Sequence, residues 1–215
     1  MKSKLELDME EFFMGFLSKN IDQGKTSFRL LIDKHHLVDL NAFLISELLS
    51  MDFKIIYITA SVPWVAQKNM ITRSPMMKVY NINKINMMNI IDTIIPSSMT
   101  TVDYYNVTQL QKPYSFPQLL KQIPIAVKKG MKNLNFSDGI MDYNDINPVT
   151  FIIIDDITGF MPAHDDYLII RFVKFMTLFT EKYKNLNLII NQSYYARRTH
   201  LKELYRIIDK THIFK

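Results

Sequence analysis

The chain has no cysteine, so disulfides and thiolate metal centres are excluded. Five glycines and eight prolines in 215 residues are too few for a turn-rich all-β fold. A hydrophobic content of 48% argues against disorder. No run approaches the roughly eighteen consecutive apolar residues that a membrane span needs, so no transmembrane helix is expected. The first residues carry Glu6, Asp8, Glu10 and Glu11, too acidic for a secretory signal. A cytoplasmic protein with one α/β domain and a sizeable core is the expectation.

Charge of one sign is also scarce until the end. The formal net charge is +5, and from Ser193 onward six Lys or Arg face only Glu203 and Asp209. A basic tail of this kind contacts an anionic polymer or forms a solvated face.

What is present centres on Val149-Thr150-Phe151-Ile152-Ile153-Ile154-Asp155-Asp156. An uninterrupted β-branched and aromatic run reads as a strand buried on both faces of a parallel sheet. It ends on two carboxylates at the edge where parallel sheets bind ligands. There an acid steers a magnesium ion or a water beside a phosphate, or it merely ends the strand and caps the next turn.

Around this strand the pattern predicts an amphipathic helix within residues 3–19, placed in an N-terminal segment 1–20 ahead of an α/β domain at 21–215. Strands are predicted at 26–32, 54–59, 77–83, 100–107, 187–192 and 211–214. Helices are predicted at 37–50, from Trp64, at 84–95, from a Ser115 cap to about Lys132 with a kink or break at Pro124, at 165–184 and at 200–209. The strands at 26–32 and 151–155 are expected in the middle of the sheet.

Gly24-Lys25-Thr26-Ser27 looks like the tail of a phosphate-binding loop. Such a loop needs a strand before it, a glycine five residues before Gly24, and a helix after it. Position 19 is lysine, and Phe28-Arg29-Leu30-Leu31-Ile32 is strand-like, so this stretch reads instead as a turn into the first core strand. After that strand comes Asp33-Lys34-His35-His36, without glycine or a Lys-Ser/Thr pair. Such a turn does not easily curl its N–H groups around an anion, and Asp33 repels one. The following helix start, with His35 and His36, allows only weak anion binding. No acid follows Thr59, where a nucleotide hydrolase often places a water-activating glutamate.

A strand ending Ile-Ile-Ile-Asp-Asp-Ile-Thr, a long helix, and a strand ending Ile-Asn-Gln-Ser resemble the RecA/RadA/KaiC superfamily of P-loop ATPases over roughly residues 24–215. The resemblance implies a three-layer core with a mostly parallel central sheet flanked by helices. It assigns Asp155, with Asp156 beside it, to the metal-associated acid and Gln192 to the nucleotide-sensing position. The missing loop glycines and Lys-Ser/Thr pair, with the missing glutamate, imply a non-hydrolysing paralogue with a degenerate phosphate loop. His35, His36, Asp155, Asp156 and Gln192 are then a vestigial nucleotide site, with no cofactor beyond weak ATP and magnesium. The superfamily implies homo- or hetero-oligomers with RecA-like subunits in DNA recombination, repair or other assemblies. In its recombinases the loop after Gln192 contacts DNA. Here it holds Tyr194, Tyr195, Arg197, Arg198, His200 and Lys202, able to stack on bases and pair phosphates of DNA or RNA. Packing under the sheet edge is the competing role for these side chains. No membrane partner is expected. A metallohydrolase built from His35, His36, His164 and Asp165 lacks any HxxxH spacing.

Overall fold

The computed structural model describes residues 3–22, 26–94, 107–109, 116–134, 149–160, 166–183, 185–193 and 203–214. The N-terminal helix is expected from its apolar spacing, but it is not uniform. Helix α1 (Lys4–Glu11), N-capped by the Ser3 hydroxyl, passes into a π-helical turn at Phe12–Leu17 and then α2 (Ser18–Asp22). The wider turn brings Phe12, Phe13 and Leu17 into the core with Met9.

The continuous apolar strands become β1 (Ser27–Ile32), β2 (Lys54–Thr59), β3 (Asn89–Asp92), β4 (Val107–Gln109), β5 (Thr150–Ile154), β6 (Leu186–Ser193) and β7 (Lys210–Ile213). They form one sheet in the order β4-β3-β2-β5-β6-β1-β7, and every pairing is parallel. Strand β5 is central. Strand β1 is interior but sixth in the order, one place from the edge, rather than in the middle as the sequence predicts.

Alternation of side chains sorts the strands' residues onto two faces. Phe28, Leu30, Ile55, Tyr57, Phe151, Ile153 and Ile189 pack with α3 (Leu37–Ser50), α4 (Trp64–Arg73) and the N-terminal helices. Ile56, Ile58, Ile152, Ile154, Leu188 and Ile190 pack with α5 (Phe116–Leu134), α6 (Asp166–Thr180) and α7 (Leu204–Ile207). Both faces of the sheet are dry, which is why the strands read as unbroken apolar runs. The result is a three-layer α/β fold.

Two predicted elements are corrected. In place of a helix at 84–95 there is a 3-10 turn at Asn83–Met87 followed by β3. Ile85 and Met88 mimic helical spacing, but Ile90 and Ile91 are β-branched and buried against opposite clusters. In place of a strand at 77–83 there is a 3-10 turn at Val79–Asn81. Val79 is 82% exposed, whereas Asn81 is buried and donates to the Ser46 carbonyl at 2.7 Å and to the Ser50 hydroxyl at 2.8 Å. Helix α5 runs through Pro124 without a break. The predicted strand at 100–107 reaches the described residues only at Val107, where β4 begins. Among the described residues no helix is long and apolar enough to cross a membrane.

Candidate functional site

The C-terminal ends of β2, β5 and β6 converge where a parallel sheet places its ligand site. Asp155, fully buried, follows β5. Its Oδ1 accepts the amide N–H of Ala60 at 2.7 Å and that of Asp156 at 2.6 Å, and its Oδ2 accepts the Ser61 hydroxyl at 2.8 Å. One carboxylate therefore ties the exit of β5 to the exit of β2. Burial pushes its pKa up to about 7, with the charge of Asp156 adding to the rise and the donated hydrogen bonds opposing it.

Asp156 points to the other neighbour. Its Oδ1 accepts from the Thr158 and Ser193 amides at 3.0 and 3.2 Å, and its Oδ2 accepts the Ser193 hydroxyl at 2.9 Å. Both carboxylates are thus engaged by protein donors and act as fasteners between strand ends. The turn after them, Ile157–Phe160, lies so close to the β2 exit that a Cβ at Gly159 would land on the Ala60 carbonyl.

A third acid belongs to this row and was missed in the sequence. Asp92 ends β3 fully buried, accepts the Thr59 hydroxyl at 2.9 Å and the Ile94 amide at 3.0 Å, and takes the first amide of α4, Trp64 N–H, at 2.9 Å. Ile90-Ile91-Asp92 repeats in short form the apolar-run-then-aspartate pattern of β5. That signal was hidden by the helical reading of 84–95.

At the end of β1, Asp33 caps the next turn, its Oδ1 accepting the His35 amide at 2.9 Å. The turn is a single 3-10 turn, Lys34–His36, with His35 and His36 exposed. The Asp33 carboxylate thereby occupies the His35 N–H. Helix α3 begins directly afterwards, and His36 makes no side-chain capping bond to it. Behind that helix start, Asn41 donates to the Asp155 carbonyl at 3.3 Å and accepts from Asn191 at 2.8 Å.

Gln192 lies on the opposite face from α3, because Asn191, its neighbour in β6, is the residue that meets Asn41. Its Oε1 accepts from the Arg29 Nε at 2.7 Å, and the Arg29 guanidinium stands 4.9 Å from the Tyr205 ring centroid. The Asp155 and Asp156 carboxylates therefore serve opposite neighbouring strands, and the Gln192 amide lies on the face of the sheet away from α3. Tyr194, Tyr195, Arg197, Arg198, His200 and Lys202, like His164 and Asp165, lie outside the described residues. Among the described residues no group of three or more His, Asp or Glu is arranged to hold a metal ion.

The hydroxyl pair of the Gly24–Ser27 stretch sits at the other end of the sheet. The Asp209 carboxylate accepts the Thr26 amide at 2.9 Å and the Ser27 amide and hydroxyl at 3.0 Å each. Ser27 in turn accepts the Asp209 amide at 2.9 Å. Thr26 and Ser27 thus join the start of β1 to the entry of β7.

No protein-family model and no curated protein matches the chain. Among solved structures it is similar to the crystal structure of the uncharacterized protein PH0321 from Pyrococcus horikoshii, in complex with an unknown peptide. The TM-score is 0.60 at 12% identity, over 91% of this chain and 82% of that one. The likeness is one of fold.

Proposed function

We propose that the chain is a non-hydrolysing RecA-like subunit that acts through protein contacts, with DNA or RNA as a second class of partner. One observation carries the nucleotide half of this reading: Asp33 takes the His35 amide in the turn between β1 and α3. Most positioning of a magnesium–triphosphate comes from free N–H groups and a lysine in that turn. Here the turn has no glycine, and a carboxylate occupies a donor. The Asp155 and Asp156 oxygens are committed to holding strand ends together, which supports a structural role for the acid pair.

Protein contact is supported by apolar side chains left in solvent on the turns of residues 79–87, where Val79, Tyr80 and Met87 are 82%, 63% and 62% exposed. The similar fold of PH0321 was solved with a peptide bound. The nucleic-acid part rests on the aromatic and basic composition of residues 194–202 alone.

The runner-up, a residual nucleotide-binding ATPase, is favoured by the start of α3, where His36 makes no side-chain capping bond, although the Leu37 amide already donates to the Lys34 carbonyl. Thermal unfolding with MgATP, MgADP and an oligonucleotide in parallel separates the readings, since a ligand that binds only the folded state raises Tm. No shift at millimolar MgATP is expected. A rise of several degrees would overturn the non-nucleotide reading.

A further inference from the structure

The N-terminal helix crosses the sheet beside its last strand. Phe16 meets Phe28 at a ring-centroid distance of 6.5 Å, in the row paired with Lys210, while Phe12 meets Phe214 at 5.4 Å beyond the other end of β7. The helix therefore runs antiparallel to β7. Between them lies a groove of roughly 540 Å³, a size that takes several side chains. One wall is a helical stripe in which Asp8 and Glu11 stand at one end, Phe12, Gly15 and Phe16 at the centre, and Lys19 at the other end. The floor is β7, through Lys210 and His212.

Three features of the groove bear on what it could hold. Strand β7 is the edge of the sheet and pairs only with β1, so its outer backbone groups face away from any strand among the described residues. Gly15 falls in the π-helical turn, a geometry common at functional sites, and a Cβ there would meet nothing within 4 Å. His212 is held by the rings of Phe12, Phe16 and Phe214 at 4.6–5.3 Å, giving a rigid aromatic floor.

A strand added to β7 would lie about 4.8 Å outside it, and its alternate side chains would enter the groove. Along the groove those side chains meet lysines first (Lys19, Lys210), then the Gly15–His212 gap, then carboxylates (Asp8, Glu11). We propose that this groove docks an extended segment of a partner protein as an eighth strand. The segment presents an acidic, an apolar and a basic side chain at alternate positions to the lysine end, the gap and the carboxylate end. The inference rests on the protein-contact half of the reading above and is independent of its nucleotide half.

The probes are acetylated seven-residue peptides, Thr-Glu-Val-Phe-Val-Lys-Thr and its reverse order, titrated into the full chain by fluorescence anisotropy. One order should bind with micromolar Kd. Variants of that peptide with both charges basic or both acidic should bind at least fivefold more weakly. A proline at the Phe position, or Gly15→Phe in the protein, should abolish binding. Should Gly15→Phe fail to melt like the native chain, Lys19→Glu with Lys210→Glu, Asp8→Lys and Glu11→Lys decides instead, by inverting the preference between the two orders. Absence of binding by both orders at 1 mM, indifference to these substitutions, or Gly15-dependent self-association in sedimentation would overturn the proposal; the last would make a second copy the occupant. A MgATP-induced Tm rise would sink the non-nucleotide reading yet leave the peptide result intact.

Discussion

Arg29 donates from Nε to the Gln192 amide oxygen at 2.7 Å, across the adjacent strands β1 and β6, with both residues at least nine-tenths buried. The glutamine that the superfamily resemblance assigns to nucleotide sensing is thereby committed to a buried cation. Burial lowers the pKa of that guanidinium, while the Tyr205 ring stacks near it. Replacing Gln192 by Ala leaves the cation without this acceptor and should cost about 2–3 kcal/mol in urea unfolding. Pairing Gln192→Leu with Arg29→Met should recover most of the loss, because two apolar groups replace both partners. Additive losses in the double variant would show that the pair does not act as a unit.

Asp155 makes stability depend on pH in an unusual direction. Its folded pKa, about 7, lies above the ordinary carboxylate value. The folded state therefore holds this proton more tightly than the unfolded chain does. The associated stability is complete below about pH 4 and is lost as pH rises through 7, on the order of 3–5 kcal/mol by linkage. His212 acts oppositely: burial lowers its pKa, so its contribution is lost as pH falls. The difference between the native chain and Asp155→Asn, measured by urea unfolding from pH 5 to 8, isolates the carboxylate. That difference should shrink as pH rises. A pH-independent difference would refute the assignment.

The same residues show what could be read in advance and what could not. Strands β1, β2, β5 and β6 were legible because each is buried on both faces, which forces an apolar run with few alternatives. Asp155 and Asp156 were visible as acids closing such a run, but their role was not. Whether a carboxylate holds a metal or ties strands depends on which donors the neighbouring strands bring, and Ser61 and Ser193 lie dozens of residues away in sequence. Asp92 was lost with β3, where packing of Ile90 and Ile91 overrides a helical spacing. The Arg29–Gln192 pair required the β1–β6 register, which no local pattern encodes.

Gly159 answers to space rather than to backbone angle. A methyl there would collide with the Ala60 carbonyl and crowd the Ser61 amide, in a segment that Asp155 anchors through the Ala60 N–H and the Ser61 hydroxyl. Gly159→Ala should therefore cost at least about 2 kcal/mol, near the upper range for overpacking. Gly15→Ala, with open space around the added methyl, should change Tm little. Equal melting of the two variants would contradict the close approach of the 157–160 turn to β2.

Asp209 supplies the last test, at the end of the sheet away from the acid row. Its carboxylate gathers three donors from Thr26 and Ser27 and fixes the entry of β1 beside that of β7. Asp209→Ala removes the shared acceptor and should cost about 1–3 kcal/mol. Because β7 is an edge strand whose backbone, among the described residues, pairs with β1 and no other strand, the loss should appear locally first. Amide exchange at Lys210–Ile213 should quicken more than exchange in β5. If Gly24–Ser27 were instead a working phosphate loop, Ser27→Ala would weaken a MgATP-induced Tm rise. The expected outcome is a lowered Tm for Ser27→Ala, the same with and without MgATP, because the hydroxyl serves Asp209. A nucleotide-dependent difference would return this stretch to the ligand site.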